Sequence, residues 1–200
     1  MRSFNFFVLL TSLLAVWCHC NATVARRSRV YHKFRDYVKK IMNGTKAVYV
    51  ERGVFATLPY PICMRSVKLG STPNESFHHN LTYKSKWFAE RSTQWHTRNT
   101  TYYLGPQHQY PKLIIKALNA TGKEDPIVSG RFFISFANAG CFILTTRADQ
   151  DNSSCSLWQA NETTGSVRES CNLAFNAAST FYKGYTYKYQ ASMCNSDIAA

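Results

Sequence analysis

Eight short runs of β-branched and aromatic residues, each closed off by a turn residue, constrain the fold of this chain more than any other feature. They cover residues 47–51, 62–69, 76–88, 100–104, 113–118, 131–137, 141–147 and 156–160, and among the residues between them are Pro59, Pro61, Gly70, Pro73, Gly105-Pro106, Gly122, Gly130 and Gly140. Val, Ile, Thr, Tyr and Phe suit a pleated, half-buried surface, whereas Gly and Pro interrupt it. Eight antiparallel strands at this spacing suit an up-and-down barrel, in which closure removes the sheet edges and leaves a mouth and a cavity. A sandwich of two sheets is the other arrangement that such strands permit.

Two stretches carry a helical period instead. Val30, Phe34, Val38 and Ile41 recur every three or four positions with Lys33, Arg35, Lys39 and Lys40 between them, which predicts a short amphipathic helix. Asn43-Gly44 is its stop, because Gly tolerates the left-handed conformation past a helix end. After the eighth strand Val167, Cys171, Phe175, Ala178 and Phe181 return at helical spacing, and Tyr185 to Tyr189 then run extended toward Cys194.

The N-terminal residues carry a targeting signal. Arg2 precedes an apolar run over residues 4–17 that is short for a membrane span, so residues 1–18 are read as a secretory signal peptide, with cleavage after Cys20 as the other option. Residues 19–29 form a basic tail in which Arg26-Arg-Ser-Arg29 also matches a minimal processing site, and residues 30–200 form one domain. Eight Asn-X-Ser/Thr sequons follow, at Asn21, Asn43, Asn74, Asn80, Asn99, Asn119, Asn152 and Asn161. Their density independently points to a secreted, extracellular glycoprotein. A glycosylated Asn must face water and side chains alternate across a strand, so Asn80 would turn His79, Leu81 and Tyr83 inward. Asn161 would likewise turn Trp158 and Ala160 inward and Gln159 outward.

The cysteine frame lies mostly in the last third. Cys141-Phe-Ile-Leu, Cys155-Ser-Leu-Trp158, Cys171-Asn-Leu-Ala-Phe175 and the run from Tyr185 to Cys194 follow Cys63-Met-Arg-Ser-Val-Lys-Leu69 upstream. In this order the motifs, over roughly residues 30 to 194, resemble the secreted lipocalins of tick saliva, the histamine-binding-protein family. The resemblance implies a mainly β, eight-stranded antiparallel lipocalin-like barrel with an N-terminal and a C-terminal helix, stapled by Cys63–Cys194 and Cys141–Cys171. Cys155 is left over, because the place where many relatives carry its partner holds Ser179-Thr180 here. Cys20, a second molecule in a disulfide dimer, or a lone buried thiol are the three fates left open for it; otherwise the chain is read as a monomer.

Charge is uneven. Of the net +13, residues 26–123 contribute 18 Lys/Arg against four acids, while residues 124–200 carry five against seven. Such a surface attracts acidic partners, so the rival to a ligand carrier is a scaffold that binds an acidic host protein or glycosaminoglycan. Nothing resembles a nucleic-acid-binding motif. No Gly-X-Ser-X-Gly, His-Glu-X-X-His, phosphate-binding loop or paired-carboxylate motif is present, and the histidines show no ligand spacing against the cysteines, so neither an enzyme nor a metal site nor a cofactor is expected. The resemblance implies sequestration of a small host mediator, either an amine such as histamine or serotonin or a lipid such as a leukotriene, in support of evasion of host inflammatory defence. An amine needs aromatic walls and an ionised carboxylate. The candidates are Tyr49, Glu51, Trp87, Glu90, Tyr103, Phe133 and Trp158, with Glu162 a further acid; a lipid anion would need basic groups at the mouth, for which Lys84, Lys86, Arg91 and Arg98 are candidates.

Overall fold

The computed structural model describes residues 28–70, 76–86, 94–105 and 110–195. Eight strands follow one another: β1 (Val48–Phe55), β2 (Tyr60–Gly70), β3 (Ser76–Lys86), β4 (Trp95–Leu104), β5 (Lys112–Leu118), β6 (Gly130–Ala137), β7 (Cys141–Thr145) and β8 (Ser154–Ala160). Each pairs antiparallel with the next, β8 returns to β1 from Val48↔Ala160 to Phe55↔Ser154, and Val48↔Ser66 closes β1 onto β2. The result is the barrel, not the sandwich. Period-2 burial follows from closure: Phe77, His79, Leu81 and Tyr83 are buried while His78, Asn80 and Thr82 are only partly so. Trp158 joins the same interior cluster, and Ala160 packs against it. Gln159 turns to the outer face, though it too is nearly covered.

One end of the barrel is plugged. Residues 28–43 form helix α1, and Val38, Ile41 and Met42 enter the barrel core with Phe34 and Tyr37 packed against it. The buried Arg35 donates to the Gly105 carbonyl on the β4–β5 connection. Gly44 follows the helix as expected, but it does not adopt a left-handed φ. Its N–H instead returns to the Ile41 carbonyl (3.2 Å), closing the last turn without that conformation. At the same end His79 Nε2 donates to the Met42 carbonyl (2.9 Å), which fixes the tautomer. Its Nδ1 then accepts from the Ser66 hydroxyl (3.0 Å), which in turn accepts from Tyr102 (2.9 Å).

Helix α2 (Gly165–Ser179) covers one outer wall. Cys171 and Phe175 pack with Val54, Cys141, Ile143, Cys155 and Leu157 in a second apolar cluster outside the barrel. The Cys141–Cys171 disulfide fastens the helix there, and Arg52 stacks over the Phe175 ring (4.6 Å) while donating to Asn176 (2.7 Å). Cys155 is a fully buried thiol in this layer, unpaired with any described cysteine, and burial pushes its pKa up to about 12. Enclosed beneath α2, its sulfur has no route to a second molecule unless the helix lifts. Cys20, the other partner considered, lies outside the described residues.

A seam opens where β1 and β2 part company, and the C-terminal segment fills it. Strand β9 (Tyr185–Lys188) pairs with Arg52–Phe55 of β1, and helix α3 (Ala191–Cys194) carries Cys194 to Cys63. Gly184 is required at the entry, since a Cβ there would lie 2.2 Å from the Phe55 carbonyl oxygen. Cys63 sits in a left-handed conformation (φ 54°) that a non-glycine residue rarely adopts. It is held by the disulfide and by its N–H donating to the Tyr187 hydroxyl (2.9 Å). Among the described residues no helix is long and apolar enough to cross a membrane.

Candidate functional site

The barrel end opposite α1 gathers the β1–β2, β5–β6 and β7–β8 connections around a cavity of about 240 Å³. Inward positions of five strands make its base: Val50 of β1, Met64 of β2, Ile115 of β5, Leu144 of β7, and Ser156 and Trp158 of β8. The Trp158 indole N–H is satisfied by the Ser156 hydroxyl (3.0 Å), and its ring stacks on Phe142 (centroids 5.8 Å) with Tyr102 edge-on (6.4 Å). The indole is thereby fixed, and a ligand meets an apolar ring whose polar atom is already occupied.

The mouth is aromatic as well. Phe55 stacks on Tyr60 (5.2 Å) and Tyr60 on Tyr185 (5.6 Å), while Phe132, Ile127 and Val128 face them across the opening. Burial, with Tyr185 nearby, raises the Tyr60 pKa, so its phenol stays neutral. Among the described lining residues Arg131 carries the one charge, exposed at the rim. The β7–β8 side of the mouth is polar, with Thr146, Gln150, Asn152 and Ser153, so an apolar base lies beneath a mixed aromatic and polar mouth able to orient a small molecule.

Behind that wall lies a buried carboxylate. Asp125, 6% exposed, accepts from the Tyr83 hydroxyl (2.6 Å) and Arg98 Nε (2.5 Å) at Oδ2 and from the Ile127 N–H (3.0 Å) at Oδ1. Burial alone would raise its pKa, but these hydrogen bonds and the Arg98 charge outweigh it and hold the carboxyl below its ordinary value. Asp125 thereby anchors the β5–β6 connection, whose next residues, Pro126, Ile127 and Val128, line the cavity. Among the described residues no group of three His, Cys, Asp or Glu side chains is placed to hold a metal ion.

Of the residues named from sequence, Trp158 lines this cavity. Tyr49 and Glu51 lie on the outer face of β1, where Tyr49 meets Tyr189 (5.7 Å) and Glu51 pairs with Arg168 of α2 (3.0 Å). Glu162 is exposed and pairs with Lys46. Tyr103 points outward and is 41% exposed, and Phe133 lies outside the barrel near the Lys112 ammonium (5.4 Å). Of the basic residues suggested for the mouth, Arg98 is held by Asp125, and the Lys84 ammonium lies over the Trp95 ring (4.9 Å). Trp87, Glu90 and Arg91 lie outside the described residues. Sequence reasoning did not single out Val50, Met64, Phe132, Arg131 or Asp125. Strand parity carries a signal for the first three; Asp125 and Arg131 lie in or beside a connection, where no periodicity marks them. Of the sequons, Asn43, Asn99, Asn152 and Asn161 are exposed, Asn80 and Asn119 are half-buried, and Asn21 and Asn74 lie outside the described residues.

A family model described as tick histamine binding protein matches residues 63–196. Among solved structures, japanin from Rhipicephalus appendiculatus, bound to cholesterol, is 16% identical with a TM-score of 0.46, covering 74% of this chain and 94% of that one. AM182 in a serotonin complex is 15% identical with a TM-score of 0.44, covering 78% and 91%. Lobster apocrustacyanin A1 is 15% identical with a TM-score of 0.45, covering 72% and 79%. No curated protein matches the chain.

Proposed function

Since the chain belongs to the tick histamine-binding protein family, we propose that it is a secreted carrier that sequesters one small host mediator in the barrel cavity and so blunts inflammation at the feeding site. It acts by binding, not by catalysis. The observation that carries this reading is the preorganised cavity: Trp158 is locked by Ser156 and Phe142, and Phe55 and Tyr60 form a stacked aromatic rim. A ligand entering it meets walls that need little ordering, which keeps the entropic cost of association low. Secretion is supported by the two disulfides, which persist in oxidising compartments, and by the signal peptide and sequons read from the sequence.

The walls favour one ligand class over another. Apolar residues around the base and Arg131 at the rim suit an amphiphile whose hydrocarbon part reaches Trp158 and whose acidic end faces the guanidinium, as in a leukotriene. An amine is the second reading, favoured by the Phe55–Tyr60 stack at the mouth, whose ring faces attract a cation. Equilibrium dialysis with labelled histamine, serotonin and leukotriene B4 separates them. In the first reading Arg131→Gln weakens leukotriene uptake about tenfold, the scale of one exposed charge-assisted contact. In the second, Tyr60→Leu, which removes the ring face at the mouth, weakens amine uptake instead. Uptake of none of the three, with salt-sensitive retention on heparin, would support the scaffold reading instead.

A further inference from the structure

The geometry points to a second binding site, on the outside of the barrel: a groove that seats the first sugars of an N-linked glycan carried by Asn161. The groove holds about 550 Å³ between the outer faces of β1 and β8, the start of α2, and the β9–α3 segment. Asn161 is exposed and stands on its rim, in the sequon Asn161-Glu162-Thr163. The sequon is tied to the wall, since the Asn161 N–H donates to the Ala47 carbonyl (2.9 Å) and the Thr163 hydroxyl to the Ala160 carbonyl (2.7 Å). A sugar attached there has a fixed root.

Gln159 supplies the independent pointer. It lies two residues before Asn161 on the same face, is 6% exposed, lines the groove, and its Nε2 has no hydrogen-bond partner. A buried amide donor without a partner is uncommon, and a ligand acceptor in the groove would satisfy it. The rest of the lining fits a neutral, hydroxyl-rich molecule better than an ion. Glu51 is already paired with Arg168, and Glu162 with Lys46, so the charges on the walls are largely matched. Tyr49 and Tyr189, edge-on at 5.7 Å, offer ring surface to the C–H faces of a pyranose, while Glu51, Arg168 and Lys188 reach hydroxyl and acetamido groups. A glycan at Asn161 is the neutral ligand tethered closest to these walls.

Attachment needs no chemistry from this chain. In the secretory pathway the Asn161 amide nitrogen displaces the pyrophosphate of a lipid-linked oligosaccharide at its anomeric carbon, with loss of one amide proton to the transferase. The seat then forms as the barrel folds around the modified residue, and it does not depend on what the barrel holds.

The test uses the full chain secreted from cells that make high-mannose glycans, digested under native conditions with an endoglycosidase that cuts between the two core sugars. Site-resolved mass spectrometry follows each sequon. Cleavage at Asn161 is expected to be at least tenfold slower in the native protein than in its unfolded tryptic glycopeptide, while other occupied sequons change less than threefold. Gln159→Ala with Tyr189→Ala should erase the protection; Gln159→Ala alone, with near-ultraviolet circular dichroism as the check on folding, should weaken it. An unmodified Asn161, or native cleavage there as fast as at the other sites, would overturn the proposal.

Discussion

Replacing His79 by glutamine should remove a specific part of this protein's sensitivity to acid. The ring is 1% exposed and bridges the barrel to α1 through the Met42 carbonyl and Ser66. Burial, with smaller contributions from Lys68 and His78 and against the Met42 hydrogen bond, lowers its pKa from 6.5 to about 4. A depressed histidine keeps its ring neutral in the folded chain while the unfolded chain takes up the proton, so the associated stability is complete above pH 6.5 and drains away as pH falls toward 4. Over the roughly 1.5 pH units from 6.5 to 5, at about 1.36 kcal/mol each, the loss is about 2 kcal/mol. Glutamine can still donate to the Met42 carbonyl but does not titrate. At pH 7 the variant is expected to be about 1–2 kcal/mol less stable, through poorer hydrogen bonding and packing. Urea unfolding followed by tryptophan fluorescence at pH 7, 6 and 5 reads both terms. Relative to wild type the variant should gain about 2 kcal/mol on going from pH 7 to 5, which brings it level with or above wild type, while groups common to both proteins, such as His96, cancel. Two stability curves that fall in parallel would refute the reasoning.

Three further outcomes are expected. Replacing both cysteines of Cys63–Cys194, separated by 131 residues, should destabilise by roughly 5 kcal/mol on the chain-entropy model, against roughly 3.5 for Cys141–Cys171, separated by 30; denaturant midpoints in the opposite order would contradict it. Tyr187→Phe leaves the Cys63 N–H without its partner and should cost about 1–3 kcal/mol, measured by chemical denaturation; a loss under about 0.5 would show that water satisfies it. Cys155, buried and with its pKa near 12, should resist an aromatic disulfide reagent in the native protein and react on unfolding as one thiol per chain. No thiol after unfolding would mean that it is paired with Cys20.

The barrel was legible because its signal is distributed. Seven of the eight segments carry β-branched residues and the eighth carries Trp158, and small errors at the boundaries, such as β1 running on to Phe55 and β4 starting at Trp95, leave the strand count intact. The two staples came from the resemblance, since cysteine spacing does not determine connectivity. The site was less legible, and the reason is parity. Aromatic residues occupy both faces of these strands, so choosing Tyr49, Tyr103 and Phe133 selected outward positions, whereas the neighbours Val50, Tyr102 and Phe132 point inward. The parity expected from the Asn80 and Asn161 sequons agrees with the inward His79, Leu81, Tyr83 and Trp158. No such marker settled β1, where the register shifts between Val50 and Arg52. Glu51 is covered by α2, and a partly buried outer face is not distinguishable from a core face by hydrophobicity alone. Asp125 and Arg131 owe their places to how the β5–β6 connection folds over the mouth, which is tertiary information.

Titration calorimetry of the secreted protein against histamine, serotonin and leukotriene B4, with Val50→Phe alongside, tests the central claim most directly. Val50 is 1% exposed and lines the cavity base, so the larger ring fills the space at a stability cost of about 1–3 kcal/mol while leaving the outer surface unchanged. The account predicts one-to-one binding of one mediator class to the wild type and loss of that binding in the variant. Binding that survives in a folded Val50→Phe protein would place the ligand elsewhere and contradict it.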